Sequence, residues 1–243
     1  MTFQFFAPRG TDGALLRVPQ SFRRSVKWLP QIGDIFPDFT IETTLGPLNF
    51  RNWAEGSWVY LFSHPAAHTP VCTTEVGSIA MHWPDFEGLG AKVLGFTSSS
   101  VDEQLEWHGD IQRLYGVPVC FPTANDLGGA MAKFLGMRHE KEHKSWPIRK
   151  SFVLDPEMKI RAIFEYPIYI GRSTAETLRV IKALQLVNQT GAATPADWTE
   201  FDPIIIDIGE RELEVVRKFG AVSRQLLPYL RLVRGDKRHE IPS

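Results

Sequence analysis

Apolar runs alternate with amphipathic stretches along the chain from about residue 33 onward. Three of the runs are short and almost continuously apolar, which is typical of strands that are buried on both faces of a sheet. They are SWVYLF (57–62), KVLGFTS (92–98) and VPVCF (117–121). After the second run, Ser100 and Glu103 form a capping box ahead of apolar residues at helical spacing, and Gly116 is expected to end that helix.

Two stretches predict antiparallel hairpins. Residues 39–50 read FTIETTLGPLNF, and their turn is predicted at Gly46 and Pro47. Residues 151–166 predict a second hairpin, with its turn at an Asp-Pro pair. A last long helix is expected to begin at Ser173.

The order of these elements predicts the fold class. It reads strand, helix, strand, helix, strand, and then a hairpin and a closing helix. Two parallel crossovers followed by an antiparallel hairpin give an α/β fold, a mixed sheet with helices on both faces. This is the arrangement of a thioredoxin-like domain, to which a small C-terminal subdomain is added.

Three segments follow from this pattern: an N-terminal extension (1–30), the thioredoxin-like domain (31–190), and a C-terminal subdomain or dimerisation arm (191–243). The first segment carries five basic residues and a single acid. That composition fits an organelle transit peptide. The main expectation is nevertheless a cytoplasmic protein whose N-terminal phenylalanines and leucines pack on the domain, and a transit peptide with an organelle matrix location is the alternative.

Charge and composition exclude several classes of function. The formal net charge is -1, so no overall field attracts nucleic acid or an acidic membrane surface. No apolar run approaches the roughly 20 residues that cross a bilayer. Two cysteines are too few for a secreted disulfide framework, which favours a reducing compartment.

One of the two cysteines stands at a predicted helix start, in the stretch HPAAHTPVC (64–72). Thr69 is expected as the N-cap residue and Pro70 at the first helical position, which places Cys72 in the first turn. Unpaired N–H groups and the positive end of the helix dipole favour a thiolate there over a thiol. The alternative is a buried structural cysteine.

The residues from Pro65 to Cys72 match the pattern P-x-x-x-T-x-x-C of the peroxiredoxin active site. The longer stretch SHPAAHTPVCTTE resembles the single-cysteine (1-Cys) subfamily in particular. The resemblance extends over about residues 30 to 235, through GDIFPDFTIETTLG, SSVDEQLEWHGDI, FLGM, YPIYIGRSTAETLRVIKALQLV and ATPADW. It implies a thiol peroxidase that reduces hydrogen peroxide and organic hydroperoxides.

The resemblance also implies which residues carry the chemistry. Cys72 would attack the O–O bond and become a sulfenic acid, releasing water or an alcohol. The Thr69 hydroxyl would hydrogen-bond to the thiolate and the peroxide, and Pro65 would shield the sulfur from water. The family's distant arginine corresponds to Arg149, which stays charged and offers several donors.

Three further residues match supporting positions of the family. Glu75 and Arg172 correspond to a glutamate and a second arginine, although a solvated acid and a turn arginine would fit the sequence equally well. His64 stands where single-cysteine members often carry a histidine near the sulfur. A histidine that only orients the loop is the alternative.

The other cysteine decides between a one-cysteine and a two-cysteine cycle. A sulfenic acid must be resolved by another thiol, and Cys120 lies in the predicted strand 117–121, where a buried and inert thiol is expected. The resemblance therefore implies an external thiol reductant, no metal or other cofactor, and a homodimer or larger homo-oligomer. A peroxide sensor or oligomeric holdase that uses Cys72 is the alternative function.

Two further motifs resemble known sites but are not expected to be functional. His139 and His143 have the zincin spacing in HEKEH, but their charged surroundings favour a surface loop over a zinc site. Ser57 corresponds in position to a lipase-like serine of some single-cysteine members. Because Val59 replaces the second glycine of a nucleophile elbow, that activity is not expected.

Overall fold

The computed structural model describes residues 29–234, so the extension predicted over 1–30 lies almost wholly outside the described residues. The strands are β1 (Thr40–Thr43), β2 (Gly46–Asn49), β3 (Trp58–Ser63), β4 (Ala91–Thr97), β5 (Thr123–Asn125), β6 (Arg149–Leu154), β7 (Ile160–Tyr166), β8 (Ile204–Ile206), β9 (Arg224–Leu227) and β10 (Leu230–Val233). The helices are α1 (Phe50–Ala54), α2 (Pro70–Met81), α3 (Trp83–Gly88), α4 (Val101–Tyr115), α5 (Ala130–Phe134), α6 (Thr174–Thr190) and α7 (Glu212–Phe219).

The main sheet has seven strands in the order β2-β1-β5-β4-β3-β6-β7. Strands β3, β4 and β5 are parallel, and the remaining pairs are antiparallel. This confirms the predicted mixed sheet of a thioredoxin-like fold.

Strand β3 runs through the middle of the sheet, and all six of its residues are buried. Because side chains alternate across a strand, it contributes to two cores. Tyr60 and Phe62 pack with α2, α4 and α6 on one face, whereas Val59 and Leu61 pack with α1 and α5 on the other. The continuous apolar pattern of β3 therefore reflects helices on both faces.

Local capping signals in the sequence are reproduced. Ser100 and Glu103 form the predicted reciprocal capping box at the start of α4, and Gly116 ends that helix in the left-handed conformation, with φ 74°. At α6, the Ser173 side chain accepts from the backbone N–H of Glu176. These contacts satisfy backbone groups that a helix end leaves unpaired.

Two predictions of local structure are wrong. The run 117–121 is not a strand: β5 begins only at Thr123, and Cys120 is exposed rather than buried. Pro118 within that run and Pro122 directly after it lack the N–H that a sheet ladder needs. The first hairpin turns at residues 44–45, because Gly46 already pairs with Thr43 in the sheet.

Residues beyond α6 form a second sheet of three strands in the order β8-β10-β9. Its apolar side packs, together with α7, on Ala183 and Leu186 of α6. The division into segments at residue 190 remains a prediction. Within residues 29–234, no helix is both long and apolar enough to cross a membrane.

Candidate active site

The loop that follows β3 carries the cysteine into the first turn of α2. Thr69 occupies the N-cap position with extended backbone (φ -110°, ψ 141°), and Pro70 opens the helix. Cys72 is completely buried. The predicted placement of the sulfur at a helix start is therefore confirmed, and the unpaired N–H groups of that turn favour negative charge there.

The Thr69 side chain does not cap the helix, although it stands at the N-cap. Its hydroxyl donates instead to the carbonyl oxygen of Ala66, at 2.8 Å. This bond turns the hydroxyl back onto the loop. Its oxygen lone pairs remain available to accept a further hydrogen bond.

The loop 64–69 is anchored to the end of β4. The buried Pro65 accepts hydrogen bonds at its carbonyl from the hydroxyls of Thr97 and Ser98, each at 3.3 Å. The backbone N–H of Ala67 donates to the Ser99 hydroxyl at 3.0 Å. These bonds fix the loop that precedes the cysteine.

Arg149, the first residue of β6, brings a buried guanidinium to the sulfur. Its Nη1 donates to Cys72 Sγ at 3.4 Å and to Glu75 Oε2 at 2.5 Å. Its Nε and Nη2 both donate to the carbonyl oxygen of Ile168, at 2.9 and 2.6 Å. Only 2% of Arg149 is exposed, so these contacts are made away from solvent.

Glu75 and Arg172 complete a buried ionic network around Arg149. The Glu75 carboxylate accepts from Arg172 Nε at 2.8 Å and from Nη2 at 2.9 Å. Burial acts to raise the pKa of Glu75, but the charges and hydrogen bonds of both arginines outweigh it and hold the pKa below its ordinary value. Arg172 also binds the Ser63 carbonyl and the Ser151 hydroxyl, which tie the network to β3 and β6.

His64 lies close to this network but is not part of it. Its ring is completely buried, 5.3 Å from the Trp107 ring and 5.9 Å from that of Phe62 between centroids. Neither ring nitrogen has a hydrogen-bond partner among the described residues. Burial lowers the pKa of His64 to about 3, so the imidazole is neutral at physiological pH.

A family model described as "AhpC/TSA family" matches residues 32–163. Peroxiredoxin PRX1, mitochondrial, from Saccharomyces cerevisiae is 37% identical over 223 residues, which cover 88% of this chain and 85% of that protein. The chain belongs to the AhpC/TSA family of peroxiredoxins. It is a thiol peroxidase.

Single-cysteine peroxiredoxins stand among the relatives of this peroxiredoxin. The 1-Cys peroxiredoxin of Dictyostelium discoideum is 35% identical over 176 residues, 72% of this chain and 73% of that protein. The structure of the yeast mitochondrial 1-Cys peroxiredoxin matches with a TM-score of 0.77, 37% identity, and coverage of 85% of this chain and all of that one. A cysteine-to-serine mutant of peroxiredoxin 6 from Arenicola marina gives 0.78, 33% identity, and coverage of 85% and 99%. These relatives favour the peroxidase over a sensor or holdase.

His139, His143 and Ser57 lie outside this site. His143 Nδ1 accepts from the backbone N–H groups of Ser145 and Trp146, at 3.2 and 2.8 Å, which occupies that nitrogen. Within the described part of the chain, no three histidine, cysteine or carboxylate side chains cluster closely enough to hold a metal ion. Ser57 donates to the carbonyl of Glu55 in a turn.

Sequence reasoning missed several groups that hold the site together. Ser63 and Ser151 bind Arg172, and Ile168 binds Arg149 through a backbone carbonyl that any residue would supply. Thr73 accepts from Trp107 Nε1 at 2.9 Å, which links α4 to the first turn of α2. The one available signal was position, since Ser63 ends β3 and Ser151 lies in β6, beside the reactive helix start.

Proposed function

We propose that this peroxiredoxin reduces hydrogen peroxide and organic hydroperoxides through Cys72, in a one-cysteine cycle with Arg149 as the principal charge partner. The observation that carries the proposal is the pair of contacts of Arg149 Nη1, to Cys72 Sγ and to Glu75. A permanently charged donor at the sulfur favours the thiolate, which is the nucleophilic form.

The chemistry balances with the peroxide's own proton and one proton from solvent. The Cys72 thiolate attacks the peroxide oxygen that carries hydrogen, the O–O bond breaks, and that proton passes to the leaving oxygen, which departs as water or an alcohol. The sulfenate that remains takes a proton from solvent. The sulfur is oxidised to a sulfenic acid and the peroxide is reduced. Arg149 donates to the developing negative charge, and the Thr69 oxygen accepts from the peroxide O–H.

The remaining residues act on these groups. Glu75 and Arg172 fix the guanidinium of Arg149, because a buried ion network with satisfied donors resists rotation. Pro65, buried and bound at its carbonyl, keeps bulk water from the loop beside the sulfur. His64 is neutral and carries ring nitrogens without a partner among the described residues, so it offers an acceptor to a sulfenic acid O–H.

An external thiol is the proposed reductant. The two cysteines are not joined to each other: Cys72 is a buried free thiol and Cys120 is a free thiol on an exposed loop. The structure of the yeast mitochondrial relative is described as resolving its thiol through glutathione and thioredoxin systems. We infer a reductant of that class.

We also place the protein in an organelle matrix. Its N-terminal segment is basic, as transit peptides are, and one of its relatives is mitochondrial.

A homodimer is also proposed. Strand β9 lies at the edge of the second sheet, and all four of its residues are exposed. Leu226, Leu227 and Tyr229 form an exposed apolar group on and beside this strand. An exposed apolar edge strand is a surface that proteins cover by pairing.

Mass spectrometry of the intact protein tests the cycle. With one equivalent of hydrogen peroxide and a sulfenic-acid trap, we expect a single adduct on Cys72. Cys72→Ser should abolish peroxide consumption, while Cys120→Ser, the matched control, should leave it nearly unchanged. A loss of two hydrogens with Cys72 joined to Cys120 would replace the one-cysteine cycle by a two-cysteine cycle, and an absence of oxidation would contradict the proposal.

A further inference from the structure

The segment 138–146, which contains the motif HEKEH, folds into a compact turn just ahead of β6. The backbone N–H groups of Glu142 and His143 both donate to the carbonyl of His139, at 3.0 Å. The His143 ring stacks on that of Trp146, with 4.4 Å between centroids. The motif thus gives this loop a defined shape.

The compact turn presents one carboxylate to the loop that holds Arg149. Glu142 Oε1 accepts from the backbone N–H of Ile168 at 3.0 Å. The carbonyl of the same residue accepts both hydrogen bonds from Arg149 Nε and Nη2. Ile168 is therefore bound on one side by Glu142 and on the other by Arg149.

This arrangement fixes the direction of the guanidinium. Arg149 is planar, so placing Nε and Nη2 on one carbonyl oxygen determines where Nη1 points. Nη1 is the nitrogen that reaches Cys72 Sγ, at 3.4 Å. A shift of Ile168 would rotate this plane and lengthen the contact with the sulfur. A hydrogen bond to a carboxylate is stronger than one between neutral groups, so Glu142 resists that shift.

We propose that Glu142 is a positioning residue for the peroxidase reaction: it holds Ile168, and through the Ile168 carbonyl it aims Arg149 at Cys72. The inference rests on the proposed role of Arg149. Glu142 itself is exposed, and its hydrogen bond is to the backbone of Ile168.

The test compares variants in a Cys120→Ser background. For Glu142→Ala we expect the second-order rate constant of Cys72 oxidation by hydrogen peroxide to fall about fivefold, because a small misplacement of a catalytic group is costly. The rate of Cys72 alkylation at neutral pH should fall as well. Glu142→Gln, whose carbonyl oxygen still accepts a hydrogen bond, should recover most of the rate. Glu140→Ala, an exposed neighbour in the same turn, should behave as the parent.

A double-mutant cycle identifies the route of the effect. If Glu142 acts through Arg149, adding Glu142→Ala to Arg149→Ala should cause no further loss of rate. Additive losses, a parental rate in Glu142→Ala, or an equal loss in Glu140→Ala would overturn the inference. A parental rate in Arg149→Ala would instead overturn the proposed function. Thermal unfolding of each variant checks its fold, and Glu142→Ser replaces the alanine variant if that one does not fold.

Discussion

Glu75 and His64 are both buried beside the same two arginines, and the consequences for their charge are opposite. Burial disfavours the charged form of either group. Glu75 nevertheless stays ionised, because both guanidiniums hydrogen-bond to its carboxylate. The Glu75 charge acts to raise the pKa of His64, but burial and the two nearby arginines outweigh it, and no described residue hydrogen-bonds to the ring. The site therefore keeps the negative charge of Glu75 and excludes a third positive charge.

The buried His64 should make stability depend on pH. Its pKa of about 3 lies below the ordinary 6.5, so the unfolded chain takes up the proton first as the pH falls. The stability due to the neutral ring is complete above pH 6.5 and is lost between about 6.5 and 3. Between pH 7 and pH 5 the loss through His64 should be about 2 kcal/mol.

Urea denaturation of the parent and of His64→Phe at pH 7 and pH 5, at one protein concentration, measures how much of the lost stability is due to His64. The phenylalanine variant should lose about 2 kcal/mol less than the parent on acidification. His108, whose pKa burial lowers to about 4, titrates in both proteins, so the difference between them is the readout. His139→Gln, an exposed control, should follow the parent. Equal acid sensitivity in His64→Phe would contradict the prediction.

Much of this site was predictable from the sequence, because several of its residues are neighbours along the chain. Contacts that form only when distant segments meet were not predictable in this way. Cys72 and Pro70 are adjacent in sequence to the helix start they depend on. The resemblance predicted Arg149, Glu75 and Arg172, which the structure brings together in one network. Glu142 contacts a backbone N–H 26 residues further along the chain, and only the meeting of two loops in three dimensions creates that bond.

Among the elements, α2 and α4 pack closely at Gly77, which faces the ring of Tyr115. A Cβ at this position would overlap the ring of Tyr115. The same helix carries Cys72 in its first turn, so this contact helps to set the position of the reactive turn relative to α4. A larger residue at position 77 would have to displace the ring.

Gly77→Ala should therefore lower the free energy of unfolding by about 1–3 kcal/mol through overpacking. Gly109→Ala in α4 is the matched control, because a Cβ there meets nothing within 4 Å. That variant should gain up to about 1 kcal/mol from the better helix propensity of alanine. Chemical denaturation compares the two, and a stabilised Gly77→Ala protein would show that Tyr115 moves aside at little cost.

The elements that were predicted correctly from the sequence have residues at their ends that mark where they start and stop. The capping box at Ser100 and the left-handed Gly116 are local, and the structure reproduces both. The error at 117–121 arose because apolar content alone does not distinguish a strand from a loop packed on the core. Phe121 in that loop is fully buried although it belongs to no strand.

At the scale of the whole molecule, the second sheet leaves an apolar edge exposed. Tyr229 is 75% exposed and lies beside β9. If a second copy covers this edge, Leu227→Lys with Tyr229→Lys should shift the protein from dimer to monomer, because each lysine would bury a charge in the contact. Light scattering after size exclusion measures the mass. Leu45→Lys, also at an exposed leucine but on the first hairpin, should leave it unchanged. A dimer that survives the double substitution would exclude this edge as the interface.

Because Cys72 is completely buried, the two halves of the catalytic cycle make different demands on access to the sulfur, according to the size of the reacting molecule. A peroxide needs only a small opening beside the first turn of α2, whereas a protein reductant must bring its own sulfur into contact with the oxidised one. At high reductant concentration, the frequency with which that turn opens would then limit turnover. The reductive half of the cycle should accordingly show saturation even where the peroxide half does not.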